Sequence, residues 1–127
     1  SKVMAWVAFD RAVRIAGATG FDGPVERWRA VPAEIVAQVL DRGWSEQRRA
    51  FTQSYGSEEM DASLLLLPVV GFLPVDDPRV VSTVAAIRHD LEIDGFVHRY
   101  RTADDGVDGL PAGEGSFLAC SFWLVEV

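Results

Sequence analysis

The chain has 127 residues, 49% of them hydrophobic and 24% charged, the composition of an ordinary soluble globular segment rather than a fibrous or disordered one. Its 12 Lys and Arg against 19 Asp and Glu leave a net charge of -7, a field that repels phosphate backbones and excludes nucleic acid as a partner. The longest apolar run, residues 64–70, is broken by Pro68 and falls far short of the roughly 20 residues a membrane span needs, so no membrane role is expected.

In chain order, Val3, Trp6, Val7, Phe9, Val13 and Ala16 recur at spacings of mostly three and four and predict an amphipathic helix over 3–18, with Gly17 and Gly20 as stop signals. Asp22, Gly23 and Pro24 start a second helix, whose stripe of Val25, Trp28, Val31, Ile35, Val36, Val39 and Leu40 runs to Gly43. Pro32 is expected to kink or restart it, since it removes one backbone donor. Residues 44–57 read as an irregular polar loop, with Ser57 as N-cap of a short helix over 58–67. After a proline-punctuated connector, Asp76 or Asp77 caps a fourth helix with Pro78 in its first turn and a stripe of Val80, Val81, Val84, Ile87 and Leu91. Residues 94–115 hold five of the 11 glycines, the acids Asp104, Asp105 and Asp108, and no periodicity, which reads as a long loop; residues 96–100 alone have an extended look. Loops beyond about 12 to 15 residues inside compact domains are usually functional. The stretch 117–127 is apolar on nearly every side and is expected to be a helix buried all round. The expected class is all-α, about five helices in antiparallel hairpins.

Residue 1 opens directly into a helical pattern and Val127 stops inside an apolar run, whereas domains end in polar, exposed residues; the expectation is a segment of a longer protein. One cysteine, Cys120, and no leader-like start fit a cytoplasmic location.

Three blocks, SKVMAWVAFDRAV, FTQSYGSEEMDASLLLLPVVGFLPVDDPRV and DGFVHRYRTADDGVDGLPAGEGSFLACSFWLVEV, resemble consecutive parts of bacterial family 15 glycoside hydrolases, the glucoamylase and trehalase group. The resemblance covers essentially the whole chain. It implies a partial (α/α)6 barrel, these helices being the sixth to tenth of one catalytic domain with no second domain. It also implies an inverting hydrolysis of α-linked glucosides by two glutamates roughly 6.5 to 9.5 Å apart, with no cofactor. Both glutamates belong to motifs that flank this segment, so no catalytic residue is expected within it, and the segment alone is expected to be inactive.

The resemblance places substrate contacts on the loops 44–57 and 94–115. Arg99 and Tyr100 match the family's Arg-Tyr pair, whose guanidinium binds hydroxyls of the non-reducing glucose; an arginine alone reads equally as half of a surface ion pair. Glu114, between Gly113 and Gly115, has three readings: start of the following helix, ligand of a sugar hydroxyl, or catalytic base, the last set against where the family keeps that residue. Tyr55 and Gln53 are expected to line an outer subsite or to pack their own loop. Trp6, Trp28 and Trp123 fall on apolar stripes and read as core, and Trp44 is open.

His89 and His98 lack partners at metal-ligand spacing, and Asp104, Asp105 and Asp108 lack the pattern of a calcium loop, so no metal is expected. Cys120 reads as a buried apolar thiol. The competing function is a helical scaffold without sugar chemistry, which would have no use for the glycine-rich loop. A five-helix arc would also leave apolar sides open, and self-association is the expected result.

Overall fold

The computed structural model describes residues 1–101 and 117–127. They form two compact units, Ser1–Gly43 and Trp44–Val127.

The first unit is a helix hairpin, α1 (Lys2–Thr19) and α2 (Val25–Arg42). The Lys2 ammonium bonds the Gln38 side chain, pairing the start of α1 with the end of α2, so the helices are antiparallel. Trp6 and Ala16 of α1 and Val39 of α2 are buried. Gly20 ends α1 in the left-handed conformation at φ 68°. The turn then passes Gly23, where an added Cβ would stand 3.1 Å from both the Phe21 and Trp28 rings. Of the kink or restart expected at Pro32, the restart does not occur: α2 continues through it. Only one bond is forfeited there, the N–H to the Trp28 carbonyl, and the remaining turns on either side carry the helix past it.

The second unit is built on α4 (Pro78–Leu91). Asp77 caps it by accepting from the Arg79 N–H at 2.9 Å, with Pro78 at the first helical position where its missing donor costs nothing. The Asp77 carboxyl is held below its ordinary value, first by the hydrogen bond from the Arg79 side chain. Val80, Thr83, Ile87 and Leu91 form the buried stripe; Val81, expected inside, is exposed, because the spacing of three, four and four puts Thr83 on the inner face instead.

Around α4 the core gathers Ala50, Met60, Ala62, Leu65, Val97 and Cys120, with Trp123, Leu124 and Val127 packed against it. The third helix starts later than expected. Residues 58–60 are non-helical, Asp61 rather than Ser57 is the cap, and a 3₁₀ turn over Ala62–Leu65 leads into the short α3 (Leu66–Val69). Asp61 Oδ1 accepts from the Ser63 N–H at 2.7 Å, whereas Ser57 Oγ only closes a local turn with the Glu59 N–H.

Two antiparallel ribbons, each of two-residue strands, complete the unit: β1 (Trp44–Ser45) with β2 (Ala50–Phe51), and β3 (Glu92–Ile93) with β4 (Phe96–Val97). The second is closed by Asp94 and Gly95, both at positive φ, the pattern of a two-residue Asp-Gly hairpin. The expected long loop thus begins with a turn and a strand, and the extended look of 96–100 is met at Phe96–Val97. Finally α5 (Leu118–Glu126) lies against β4, where Ser121 Oγ accepts from the Val97 N–H at 3.0 Å. It is not buried all round: Cys120 is inside, while Leu118, Phe122 and Val125 are exposed along its other side.

No described helix is long and apolar enough to cross a membrane. The described chain is mostly helical, as the expected class requires, with the hairpins as an addition to it.

Candidate functional site

The first loop is moored to α4. Thr83 Oγ1 accepts from the Phe51 N–H at 3.0 Å while donating to the Arg79 carbonyl at 2.7 Å, and Ser82 Oγ donates to the Arg49 carbonyl. Trp44, left open by sequence, stands edge-on to Phe51 with ring centroids 5.4 Å apart, and so packs the base of the loop. Ser45 Oγ lies 2.8 and 2.9 Å from the two carboxylate oxygens of Glu58, tying the beginning of the loop to its end.

Gln53 and Tyr55 lie in the second half of that loop. The Gln53 N–H donates to the Glu59 carbonyl at 2.9 Å and its side chain is exposed; Tyr55 is half-buried, with its hydroxyl shielded from solvent.

Arg99 is held through its neighbours. The Val97 N–H reaches Ser121 of α5, the His98 N–H donates to the Leu91 carbonyl at 2.9 Å, and the Arg99 carbonyl accepts from the Ala62 N–H at 2.7 Å. Three successive residues are thereby pinned to three different elements. The Arg99 side chain is 49% exposed, and its Nε stands 3.8 Å from Oδ1 of Asp61, whose side chain is 10% exposed. Tyr100 follows, half-buried. Glu114 and the acids at 104, 105 and 108 lie outside the described residues.

The segment 59–62 therefore joins the two expected loops: Glu59 bonds Gln53 on one side, and Ala62 and Asp61 meet Arg99 on the other. A second junction is Asp90 at the end of α4. Its carboxylate pairs with Arg48 of the first loop and with His89 Nδ1 at 2.7 Å, and its carbonyl accepts from Arg101 Nε at 3.2 Å. Burial raises the Asp90 carboxyl, but the His89 and Arg48 hydrogen bonds and the Arg48 and Arg101 charges outweigh it and leave the group below its ordinary value. Sequence reading missed both Asp61 and Asp90. Asp61 had a local signal, an acid two residues before Ser63 and just ahead of an apolar run; the junction at Asp90 had none, since its arginine partners are 42 and 11 residues away.

Cys120 is buried, and burial pushes its thiol up; the Arg99 charge works against that rise and the Asp61 charge adds to it. A thiol so placed is a poor nucleophile at neutral pH. Among the described residues no group of three or more His, Cys, Asp or Glu is arranged to hold a metal ion.

What remains is an exposed guanidinium backed by a carboxylate, on a ribbon anchored from three directions, beside a loop fastened to the same helix. The family model for glycosyl hydrolases family 15 matches residues 1–127. The chain belongs to that family. This family 15 chain is 50% identical over 126 residues to a trehalase of Mycobacterium tuberculosis, covering 99% of the chain and 18% of that protein. It is 42% identical to a trehalase of Thermoplasma acidophilum, again over 99% of the chain and 21% of that protein. Among solved structures, a glycosidase variant in complex with glucose aligns at a TM-score of 0.72 and 28% identity, over 89% of this chain and 29% of that one. Wild-type glycosidase aligns at 0.67, over 81% and 26%. The chain thus spans about a fifth of the length of the curated relatives it matches. Its fold class is the all-α one of the family, a portion of an (α/α)6 barrel.

Proposed function

We propose that this chain is part of an inverting α-glucosidase of the trehalase type, supplies part of its glucose-binding face, and contains neither catalytic glutamate. In this reading it provides the sixth to tenth helices of the catalytic domain, the acid and base stand elsewhere in a longer cytoplasmic enzyme, and no cofactor takes part. The observation that carries the reading is Arg99, half exposed beside Asp61, on a ribbon fixed at three successive residues. The trehalases described above, and a glycosidase neighbour that holds glucose, supply the substrate class. A guanidinium offers five donors in a fixed fork, which suits the adjacent hydroxyls of a pyranose, and Tyr100 lies next to it in sequence. In the same reading Glu114 serves as a ligand of a sugar hydroxyl, and Gln53 and Tyr55 serve an outer subsite.

The test is glucose release from trehalose, maltose and isomaltose by the 127-residue chain and by the full-length enzyme that contains it. Only the longer protein should act, with trehalose preferred; preference for maltose or isomaltose would make it a glucoamylase-like or dextran-related enzyme. Turnover by the short chain would put both carboxylates within it and sink the reading. In the full-length enzyme, Arg99→Ala should lower kcat/KM about ten- to a hundredfold, the scale of one hydrogen bond to a charged group lost from the bound state. Arg99→Lys should recover only part of that, because an ammonium cannot reproduce the planar fork.

A further inference from the structure

We propose that Asp61 is a positioning residue for Arg99, holding the guanidinium in place for sugar binding; this role rests on the reading of Arg99 given above. The argument begins with burial. The Asp61 side chain is 10% exposed, and a carboxylate so sheltered requires compensation. Part of it comes from the Ser63 N–H, which donates to Oδ1 at 2.7 Å and starts the 3₁₀ turn. An asparagine oxygen would serve that cap as well, so capping gives no reason for a charge. The charge has its counterpart in Arg99, whose Nε faces the same oxygen at 3.8 Å. That separation is an ion pair without a hydrogen bond, strong enough to orient the cation and too long to occupy its donors.

The backbone enforces the pairing. Ala62, next in sequence to Asp61, donates its N–H to the Arg99 carbonyl at 2.7 Å, so the two residues are joined through main chain as well as through charge. The 3₁₀ turn that Asp61 caps also packs against α5. One side of Arg99 is thus fixed against protein while half of the side chain meets solvent. An arriving sugar finds a cation already oriented, and less side-chain freedom is lost on binding.

Two substitutions in the full-length enzyme separate the cap from the charge. Asp61→Asn keeps the acceptor for Ser63 and removes the charge; it should raise KM for trehalose roughly three- to tenfold with kcat unchanged, at a thermal midpoint close to the parent's. Asp61→Glu keeps a charge on a longer arm that misfits the cap; it should lower the midpoint while leaving KM near the parent's. In an Arg99→Ala background, Asp61→Asn should add no further rise in KM. The role is overturned if Asp61→Asn acts equally with and without Arg99, if KM follows the thermal midpoint across the variants, or if Asp61→Asn is silent while Arg99→Ala raises KM. Should Arg99→Ala itself leave KM unchanged, the sugar-binding reading of Arg99 falls first, and the role of Asp61 with it.

Discussion

Asp90 shows how much one side chain does in a small unit. Its carboxylate takes Arg48 from the first loop and His89 from its own helix, and its carbonyl takes Arg101 from the second. The carboxyl is depressed in the folded chain relative to the roughly 3.9 expected when unfolded. A depressed carboxyl stabilises the fold at pH above its unfolded value, and that contribution is lost as pH falls through the folded one. Stability should therefore decline below about pH 4 in part through Asp90. Asp90→Asn should be less stable at neutral pH and lose less on acidification; thermal midpoints of both proteins between about pH 3 and 7 provide the check. Parallel curves would show that the pair carries no net stabilisation.

At the scale of elements, Thr83 carries a load that its place on a helical stripe does not announce. It sits where Val or Leu would be expected, yet its hydroxyl satisfies the buried Phe51 N–H and bonds back to Arg79. Thr83→Val keeps the shape and strands that donor, so a loss of about 1 to 3 kcal/mol is expected in denaturant unfolding. The helices themselves were legible because α1, α2 and α4 repeat their apolar residues at helical spacing, and Pro78 behind two acids marks a start, with Asp77 the acid that caps it. The third helix was misplaced because Ser57 and Asp61 offer the same kind of cap, and the decision is made by Met60 being drawn into the core and by Asp61 meeting Arg99. Both ribbons have strands too short for alternation to register, although Asp94-Gly95 between Ile93 and Phe96 was a readable turn signal. Of the site, Arg99 and its neighbour came from resemblance of sequence blocks, whereas the pairing of Asp61 with Arg99 and of Asp90 with Arg48 joins distant residues that no local pattern encodes.

For the molecule as a whole, α5 sets the outstanding problem. Phe117, Leu118, Phe122 and Val125 are exposed, the last at 82%, and the spacing of 118, 122 and 125 makes a continuous stripe opposite the side that carries Cys120. Soluble monomers seldom expose contiguous apolar patches beyond a few hundred Å². The isolated 127-residue chain is therefore expected to self-associate, and Leu118→Gln with Phe122→Gln should shift it toward monomer in sedimentation velocity. An unchanged distribution would move the contact to another part of the chain.

Cys120 is the single cysteine of the chain, lies on the inner side of α5, and is buried. That makes it a ready-made clock. A thiol reagent added to the native chain can react there only when α5 lifts from β4, so the labelling rate counts openings of this one joint without any engineered probe. Because α5 rests on the ribbon that leads to Arg99, a ligand gripping Arg99 should slow the clock, and binding becomes readable as a protection factor.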